Sequence, residues 1–471
     1  MNSQHDHVIA VDAAVPAEVS ELDKRQRREK IYTRAIEGYF QRLRLYTGWP
    51  LLLGYFLLPW LTLDGRQAVL FDLPERKFHI LSVTFWPQDL VLLAFILIIA
   101  AFTLFAVTAL WGRLWCGYTC PQTVWTAIFM YIEQRFEGSR NQRIKLDQEP
   151  LSWQKLRKKT LKHSGWGFVA ALTGVTFVSY FIPIRQLLPE LLSLSADLTA
   201  MSFVLLFTVA TYLNAGYLRE KVCTDMCPYA RFQSVMFDKN TLVVTYDTKR
   251  GEPRGSRKRF TTKDPHQGDC IDCELCVQVC PTGIDIRAGL QYECIGCALC
   301  IDACDSIMDK MGSPKGLVSY TSENALAGHK STGIPLKTLG YIAALAVMLA
   351  LFSTTLLTRS LVELSVSRDR GQLFLPAPNG LIDNVYELHL TNRSALTDRY
   401  RIEVEGMTEF SILGGDAIMI PSGELLEVGI RLRADPKSLP SSGTQILFRA
   451  VSNNDESVIA EAESRFIRPT L

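Results

Sequence analysis

Cysteine is absent before residue 116 and again after residue 304 of this 471-residue chain, so the last third holds neither a disulfide nor a thiolate metal site. No long basic stripe interleaved with aromatics occurs outside loops that flank apolar segments, which argues against a nucleic-acid partner. The formal net charge is only +2. It divides unevenly: residues 359–471 hold 12 Lys and Arg against 16 Asp and Glu, leaving 38 against 32 before them. A cleavable signal peptide is not expected, because the charged start runs into no short apolar region with a small-residue cleavage site. His5 and His7 lie in a polar segment that reads as a disordered terminus rather than a metal site.

Charge is wholly missing from five stretches, Leu45–Leu63, Leu90–Trp111, Gly165–Ile184, Leu198–Leu218 and Thr338–Thr358. A bilayer core needs about 20 apolar residues, and soluble core helices are seldom apolar on every face. With a mean hydropathy of +0.10, the chain reads as a multi-pass α-helical membrane protein with five spans. Leu45–Leu63 is the least regular, since Gly48, Pro50, Gly54 and Pro59 would bend it. Orientation follows from the basic flanks. Lys24, Arg25, Arg27, Arg28, Lys30, Arg34, Arg42 and Arg44 precede the first stretch, and ten Lys and Arg from Arg113 to Lys162 follow the second. The loop from Asp64 to Asp89 has only Arg66, Arg76 and Lys77, and the loop after the third stretch only Arg185. The N-terminus is therefore expected in the cytoplasm of a bacterial inner membrane and the C-terminal part in the periplasm.

These features divide the chain into a basic N-terminal segment (1–44), a four-span region (45–218), a cytoplasmic insert (219–337), a fifth span (338–358) and an outer domain (359–471). The outer domain alternates apolar and polar residues in short runs such as Tyr386–Asn392, Tyr400–Gly406 and Leu426–Arg433. Period-two alternation broken by Pro, Gly and Asn predicts an all-β, Ig-like sandwich without a cysteine pair. It shows no catalytic constellation, and a docking surface or a plain folded tail are both compatible with it.

The insert contains Cys270, Cys273, Cys276 and Cys280, then Cys294, Cys297, Cys300 and Cys304. Each set has the C-x2-C-x2-C-x3-C spacing of bacterial two-cluster ferredoxins, in which the fourth cysteine of a run ligates the other cluster. One [4Fe-4S] cluster is therefore expected on Cys270, Cys273, Cys276 and Cys304, and a second on Cys294, Cys297, Cys300 and Cys280. Zinc does not account for eight cysteines in two identical runs, and disulfides are disfavoured where cytoplasmic thiols are kept reduced. Pro281 follows Cys280 but Asp305 follows Cys304, a change that alters local charge and leaves the ligands intact.

A second duplication is Cys116-Gly-Tyr-Thr-Cys120-Pro121 and Cys223-Thr-Asp-Met-Cys227-Pro228, each at the inner end of an apolar stretch. Proline is favoured at the first position of a helix, so Cys120 and Cys227 are expected at helix starts, where the dipole favours a thiolate. Pro121–Ile132 is too short to span and suits an interfacial helix. Glu133 at its end is either a proton or ion-pair site or an ordinary interfacial charge. The four thiols fit a shared metal centre, a dithiol site for copper, or buried structural cysteines; soft thiolates select Cu(I) and Fe-S over hard cations.

Together with Gly268–Cys273, Pro281–Arg287, Glu293–Cys297 and Cys300–Asp305, this order of spans, cysteine pairs and β domain resembles the CcoG/FixG/RdxA family, over nearly the whole chain. Asp305 is part of that family's pattern. The resemblance implies an accessory protein for assembly of cbb-type cytochrome c oxidase that reduces Cu(II) to Cu(I) for the copper-haem centre, with copper as substrate. Its expected partners are membrane lipid, a cytoplasmic electron donor, and oxidase subunits or copper-transport and copper-chaperone proteins. Two rival readings are a quinol-linked membrane ferredoxin subunit and a non-catalytic assembly scaffold with structural clusters.

Overall fold

The structure, a computed structural model, describes residues 30–468 apart from 64, 82, 260–265, 330–335, 359, 369–371, 395–396, 407–408, 415–416, 440–442 and 456–457. His5, His7, Lys24, Arg25, Arg27 and Arg28 lie outside the described residues. The chain divides into two units, Met1–Glu75 with Leu97–Val347, and Arg76–Ile96 with Met348–Leu471.

The helices of the membrane region are α1 (Tyr39–Leu57), α2 (Leu90–Trp111), a short α3 (Leu114–Tyr118), α4 (Pro121–Glu137), α5 (Arg140–Gln148), α6 (Trp153–Val178), α7 (Ile184–Leu192), α8 (Leu198–Leu213) and α9 (Pro228–Met236). Among the described residues three helical segments are long and apolar enough to cross a membrane: α2, Leu198–Leu218, and a later helix at Leu336–Leu357. At most 11% of their apolar windows is buried, so the greasy surface needs a covering that water cannot provide. The other two expected spans are helical but shorter. α1 begins with Arg42 and Arg44 in its first turns and gives way to a 3-10 turn at Leu58–Trp60, where Pro59 cannot continue the ladder. α6 opens with Lys155, Arg157, Lys158, Lys159 and Lys162 and stops at Val178, leaving only Gly165–Val178 uncharged and helical.

α6 packs along α8 with little room between backbones. A Cβ on Gly174 would stand 2.7 Å from the Val204 carbonyl oxygen and 3.0 Å from the Thr208 nitrogen. The Trp125 indole donates to the Thr173 hydroxyl and the Tyr55 hydroxyl to the Thr173 carbonyl, which ties α4 and α1 to the same turn of α6.

The insert is built on a two-stranded antiparallel ladder, β1 (Val243–Tyr246) and β2 (Val318–Thr321), with Val244 opposite Tyr320. Between the strands lie α10 (Leu275–Gln278) and α11 (Leu299–Met311), and α12 (Leu336–Leu357) follows β2. α1 is capped from inside this insert: both carboxylate oxygens of Asp302 on α11 accept backbone N–H bonds, from Phe40 and Gln41. A Cβ on Gly38 would fall 2.1 Å from the Asp302 carboxyl carbon, so the cap requires glycine there.

The second unit contains the β-rich part. Its main strands are β3 (Val362–Arg368), β4 (Ile382–Asn392), β5 (Asp398–Glu405), β6 (Phe410–Leu413), β7 (Ile418–Ile420), β8 (Leu425–Ala434), β9 (Gly443–Ser452) and β10 (Ile459–Ile467). One sheet runs β6-β8-β4-β3 and the other β7-β5-β9-β10. Alternation puts Tyr386, Leu388 and Leu390 of β4 into one core with Phe448 of β9 and Phe466 of β10, all fully buried. The Tyr386 and Phe448 rings meet edge to face at 5.0 Å. Replacing Phe448 with Ala should destabilise this domain by about 3–5 kcal/mol, because the cavity cannot close fully. Limited proteolysis of detergent-purified protein across a temperature series should then cut the β-rich part first while iron content stays at the wild-type level.

Candidate metal centre

The two cysteine runs share a local geometry. Glu274 and Ala298, each directly after the second cysteine of its run, adopt left-handed backbone (φ 56° and 60°), and each starts a helix whose second residue is the third cysteine. Non-glycine residues in that region are uncommon and tend to occur where the surroundings over-determine them. The outcome is two cysteine-walled cavities. One is lined by Cys270, Cys273, Cys276 and Cys304; the other by Cys280, Cys294, Cys297 and Cys300, with Cys276 on the wall between. Among the described residues no three His, Cys, Asp or Glu side chains converge closely enough for a single ion. Thiols spread around an open space suit a multi-atom cluster instead.

The electrostatics fit such a group. Burial pushes Cys276, Cys294 and Cys304 each up to about 12 and Cys300 well above its ordinary value, and neighbouring cysteines add to the shift. Thiols that resist ionisation alone and in company are ones that a bound metal's positive charge would deprotonate. Asp305 contributes to the shift at Cys304, while its Oδ1 accepts the Gly316 N–H at 3.0 Å.

Cys120 and Cys227 stand at the N-caps of α4 and α9, with Pro121 and Pro228 at the first helical positions. Cys116 lies in α3, whereas Cys223 lies in a π-helical segment, Val222–Met226. The structure brings the pairs together. Burial and the neighbouring thiols together raise Cys116 to about 11 and Cys223 to about 12: Cys120 and Cys227 act on Cys116, and Cys120, Cys116 and Cys227 on Cys223. Cys116 donates its S–H to Oε1 of the fully buried Gln233 (3.3 Å), whose Nε2 donates to Thr108 on α2.

One cysteine of each pair sits beside the wall of the second cysteine cavity. Cys116 and Cys223 pack on the apolar cluster of Leu275, Val279, Ile295, Cys297 and Leu299. At Gly117 the two loops touch through bare backbone: a Cβ there would be 2.8 Å from the Gly296 carbonyl oxygen and 3.0 Å from the Cys297 Cα. α1 holds the same loop from its other side, Arg44 Nε donating to the Gly117 carbonyl and the Thr47 hydroxyl to that of Tyr118.

Several participants carry no motif. Arg113, which counts in the sequence as one more inner-loop charge, is 6% exposed and donates to the carbonyls of Tyr292, Cys294 and Ala230. Its charge favours the ionised forms of Cys116 and Cys294. Arg113 immediately follows a positive-φ glycine at the end of α2, a signal that locates a turn but not its burial. Glu133 proves to be an ion-pair residue: fully buried, it meets Arg143 at 3.1 Å and Arg219 at 3.0 Å. Helix α4 runs on past Ile132 to Glu137, which is paired with Lys159 and Lys162 at 2.9 Å. Arg219 has φ 42° and stands between the π segments Asn214–Leu218 and Val222–Met226. Changing Gly117 to Val should cost about 1–3 kcal/mol by overpacking. The Cys116 loop should then separate from Gly296, and Cys116 should become several-fold faster to alkylate with a maleimide while all twelve cysteines remain.

Comparison with known proteins supports an iron-sulfur assignment for the two cysteine-bearing regions. A 4Fe-4S dicluster domain model matches residues 218–323, which hold the eight clustered cysteines with Cys223 and Cys227. A 4Fe-4S binding domain model matches residues 93–137, whose cysteines are Cys116 and Cys120. A model described as an IG-like fold at the C-terminal of FixG matches residues 352–469. Nitrogen fixation protein FixG of Rhizobium meliloti (strain 1021) is 38% identical over 424 residues, covering 81% of this chain and 80% of that protein. Protein RdxA of Cereibacter sphaeroides is 39% identical over 410 residues (84% and 86%), and Protein RdxB of the same organism 38% over 423 residues (85% and 88%). The crystal structure of a FixG-related protein from Vibrio parahaemolyticus shares 33% identity over 24% of this chain and all of that chain, with a TM-score of 0.22. Similarity at this level across more than four-fifths of its length makes the chain a member of the FixG/RdxA family, with 4Fe-4S-binding domains and an Ig-like C-terminal domain.

Proposed function

We propose that this protein is a membrane-bound cupric reductase, which delivers Cu(I) for the copper-haem centre of a cbb-type oxidase. The observation that carries the reading is the contact of the C-x3-C-P thiols with the loop of Cys294 and Cys297. In this reading Cys270, Cys273, Cys276 and Cys304 hold one [4Fe-4S] cluster and Cys280, Cys294, Cys297 and Cys300 the other. When bound, such clusters supply one-electron transfer, which matches the single electron separating Cu(II) from Cu(I).

The chain's own groups do the rest. Cys116, Cys120, Cys223 and Cys227 present four soft sulfurs, which favour the cuprous product over hard cations. Gln233 orients the Cys116 thiol, and Arg113 offsets part of the negative charge created when thiols on either side of it ionise. The Gly117 contact keeps solvent and side chains out of the space between the two sulfur systems. A five-span topology with cytoplasmic cysteines and a periplasmic β domain belongs to the same proposal; α1 and α6 would complete the five by crossing in company with their neighbours. A reporter active only in the periplasm should then be active after Ser367 and silent within residues 251–263, and the reverse pattern would overturn the orientation.

A second reading has its own support, because the match over residues 93–137 is to a 4Fe-4S-binding domain whose cysteines here are Cys116 and Cys120. The four membrane-surface thiols would then hold a third cluster. Iron and labile sulfide separate the two readings: about eight of each per chain for two cubanes, about twelve for three.

Copper reduction itself is tested by two variants assayed anaerobically with a Cu(I)-specific chelator. Cys280→Ala should lose part of the cluster absorbance and most cuprous-ion formation. The double variant Cys120→Ala, Cys227→Ala should keep the absorbance of the eight-cysteine insert, yet lose Cu(I) binding and production. Undiminished reduction by the double variant would move copper away from the membrane-surface thiols.

A further inference from the structure

Each cysteine cavity has one buried arginine beside it, and the two are balanced differently. Arg287 lines the first cavity and is paired twice, its Nη2 with Asp285 at 2.7 Å and its Nη1 with Asp272 at 2.5 Å. Glu274 on the cavity wall and Asp305 next to Cys304 add further carboxylates on that side. Arg113 stands at the second cavity. Its Nη1 donates to the carbonyls of Tyr292 and, at 2.9 Å, Cys294, and its Nη2 to that of Ala230 at 2.8 Å. It forms no ion pair among the described residues, and its buried Nε finds no hydrogen-bond partner among them. Glu293, which adjoins Cys294, is itself engaged.

A guanidinium is always charged, and a buried charge without a counter-charge is costly. Four thiolates make a bound cubane anionic, and an added electron makes it more so. The group that Cys280, Cys294, Cys297 and Cys300 would hold is therefore the counter-charge that Arg113 lacks. Net charge and hydrogen bonding around a cluster set its reduction potential. At low dielectric an uncompensated positive charge favours the reduced, more negative form, and carboxylates disfavour it. We propose that Arg113 sets the direction of electron flow, by making the cluster of the second cavity the more easily reduced of the two. The inference rests on the reading of the eight cysteines as ligands of two clusters. Its balance closes within the chain: the first cluster loses one electron, the second gains it, no bond breaks and no proton moves. Placement agrees with that direction. Arg113 lies between α2 and the Cys116 helix, and through Ala230 it holds α9, which begins after Cys227. Beyond the effect of burial, it favours the ionised forms of Cys116 and Cys294, whereas at Cys276 Arg287 and Asp285 act in opposite senses.

The test is a redox titration of full-length protein in detergent, followed anaerobically by the EPR signals of reduced clusters. The clusters of the insert should titrate at two potentials. Arg113→Gln should lower the upper one and leave the lower in place, shifting the electron's equilibrium between them by about tenfold or more, with each tenfold worth about 59 mV for one electron. Arg113→Lys keeps the charge and should recover most of that shift, which a purely structural role would not predict. The half-exposed Asp272 probes the other side. Asp272→Asn removes part of the compensation of Arg287 and should raise the lower potential, narrowing the gap. In iron-replete Arg113→Gln, an unmoved upper potential or an equal shift of both would overturn the inference and leave the two clusters standing. If Arg113→Gln does not load iron, Asp272→Asn decides: a narrowed gap supports the inference and an unchanged one overturns it. Wild-type protein without two [4Fe-4S] signals would instead remove the two-cluster reading itself.

Discussion

The placement of Gly117 against Gly296 is the constraint on which the rest of the first unit depends. Two loops, each carrying a cysteine pair, approach until backbone meets backbone, and any side chain at residue 117 would collide with the Gly296 carbonyl or the Cys297 Cα. Glycine costs conformational entropy in the unfolded chain, and its use here is repaid by proximity that no other residue permits. The contact is braced from a third direction. α1 donates to the Gly117 and Tyr118 carbonyls, and α1 is itself capped by Asp302, which stands between Cys300 and Cys304. The membrane-surface loop, the first helix and the cysteine helix α11 therefore form a closed triangle, so none of the three can shift alone.

A second constraint is electrostatic. Burial opposes the charge of Glu133, but Arg219, Lys30 and Arg143 hold its carboxyl below the ordinary range. Burial likewise depresses Lys162, which has Glu137 as its partner. Buried ion pairs rarely stabilise more than apolar packing of the same volume, yet removing one partner costs about 3–5 kcal/mol. Their contribution is thus geometric specificity. Arg219 shows what is being specified: it turns the chain through a left-handed conformation, and its guanidinium lies over the Trp166 ring at 5.3 Å while bonded to Glu133. That turn feeds the π segment bearing Cys223, and π segments are frequent at functional sites.

Local signals in the sequence proved readable and non-local ones did not. The repeated cysteine spacing announces itself, and Pro121 and Pro228 mark the helix starts that put Cys120 and Cys227 at N-caps, because both depend on neighbours along the chain. Alternation in Tyr386–Asn392 and Leu426–Arg433 likewise reports strands that pair with each other in the structure. Helix ends were harder: the uncharged run Gly165–Ile184 hides that α6 begins twelve residues earlier, on Lys and Arg, and that its last turns break at Ser179. Charge at α4 left Glu133 open between an ion-pair site and an interfacial charge for a related reason. Glu133 and Glu137 look like the water-facing end of an interfacial helix, yet their partners come from α5, α6 and the segment after α8, positions that no local pattern connects. Arg113 and Gly117 belong to the same category, since burial and close approach are properties of what arrives from elsewhere.

The two C-x3-C-P copies look equivalent in sequence but occupy different backbone settings, and the difference divides their roles. Cys116 lies in an α-helical turn, hydrogen-bonded to a buried glutamine and covered by the Gly296 loop. Cys223 lies in a π turn and faces an open chamber. A sulfur held by a buried amide has one orientation available, whereas a sulfur on a chamber wall can meet a ligand from outside. Four thiols in one group therefore need not be interchangeable: Cys116 and Cys223 pack on the same apolar cluster, but Cys116 is held by Gln233 and the Gly296 loop, whereas Cys223 also lines a separate cavity. Each copy follows a positive-φ residue, Gly112 before Cys116 and Arg219 before Cys223, yet only the second leads into a π segment, so identical spacing does not impose identical presentation of sulfur.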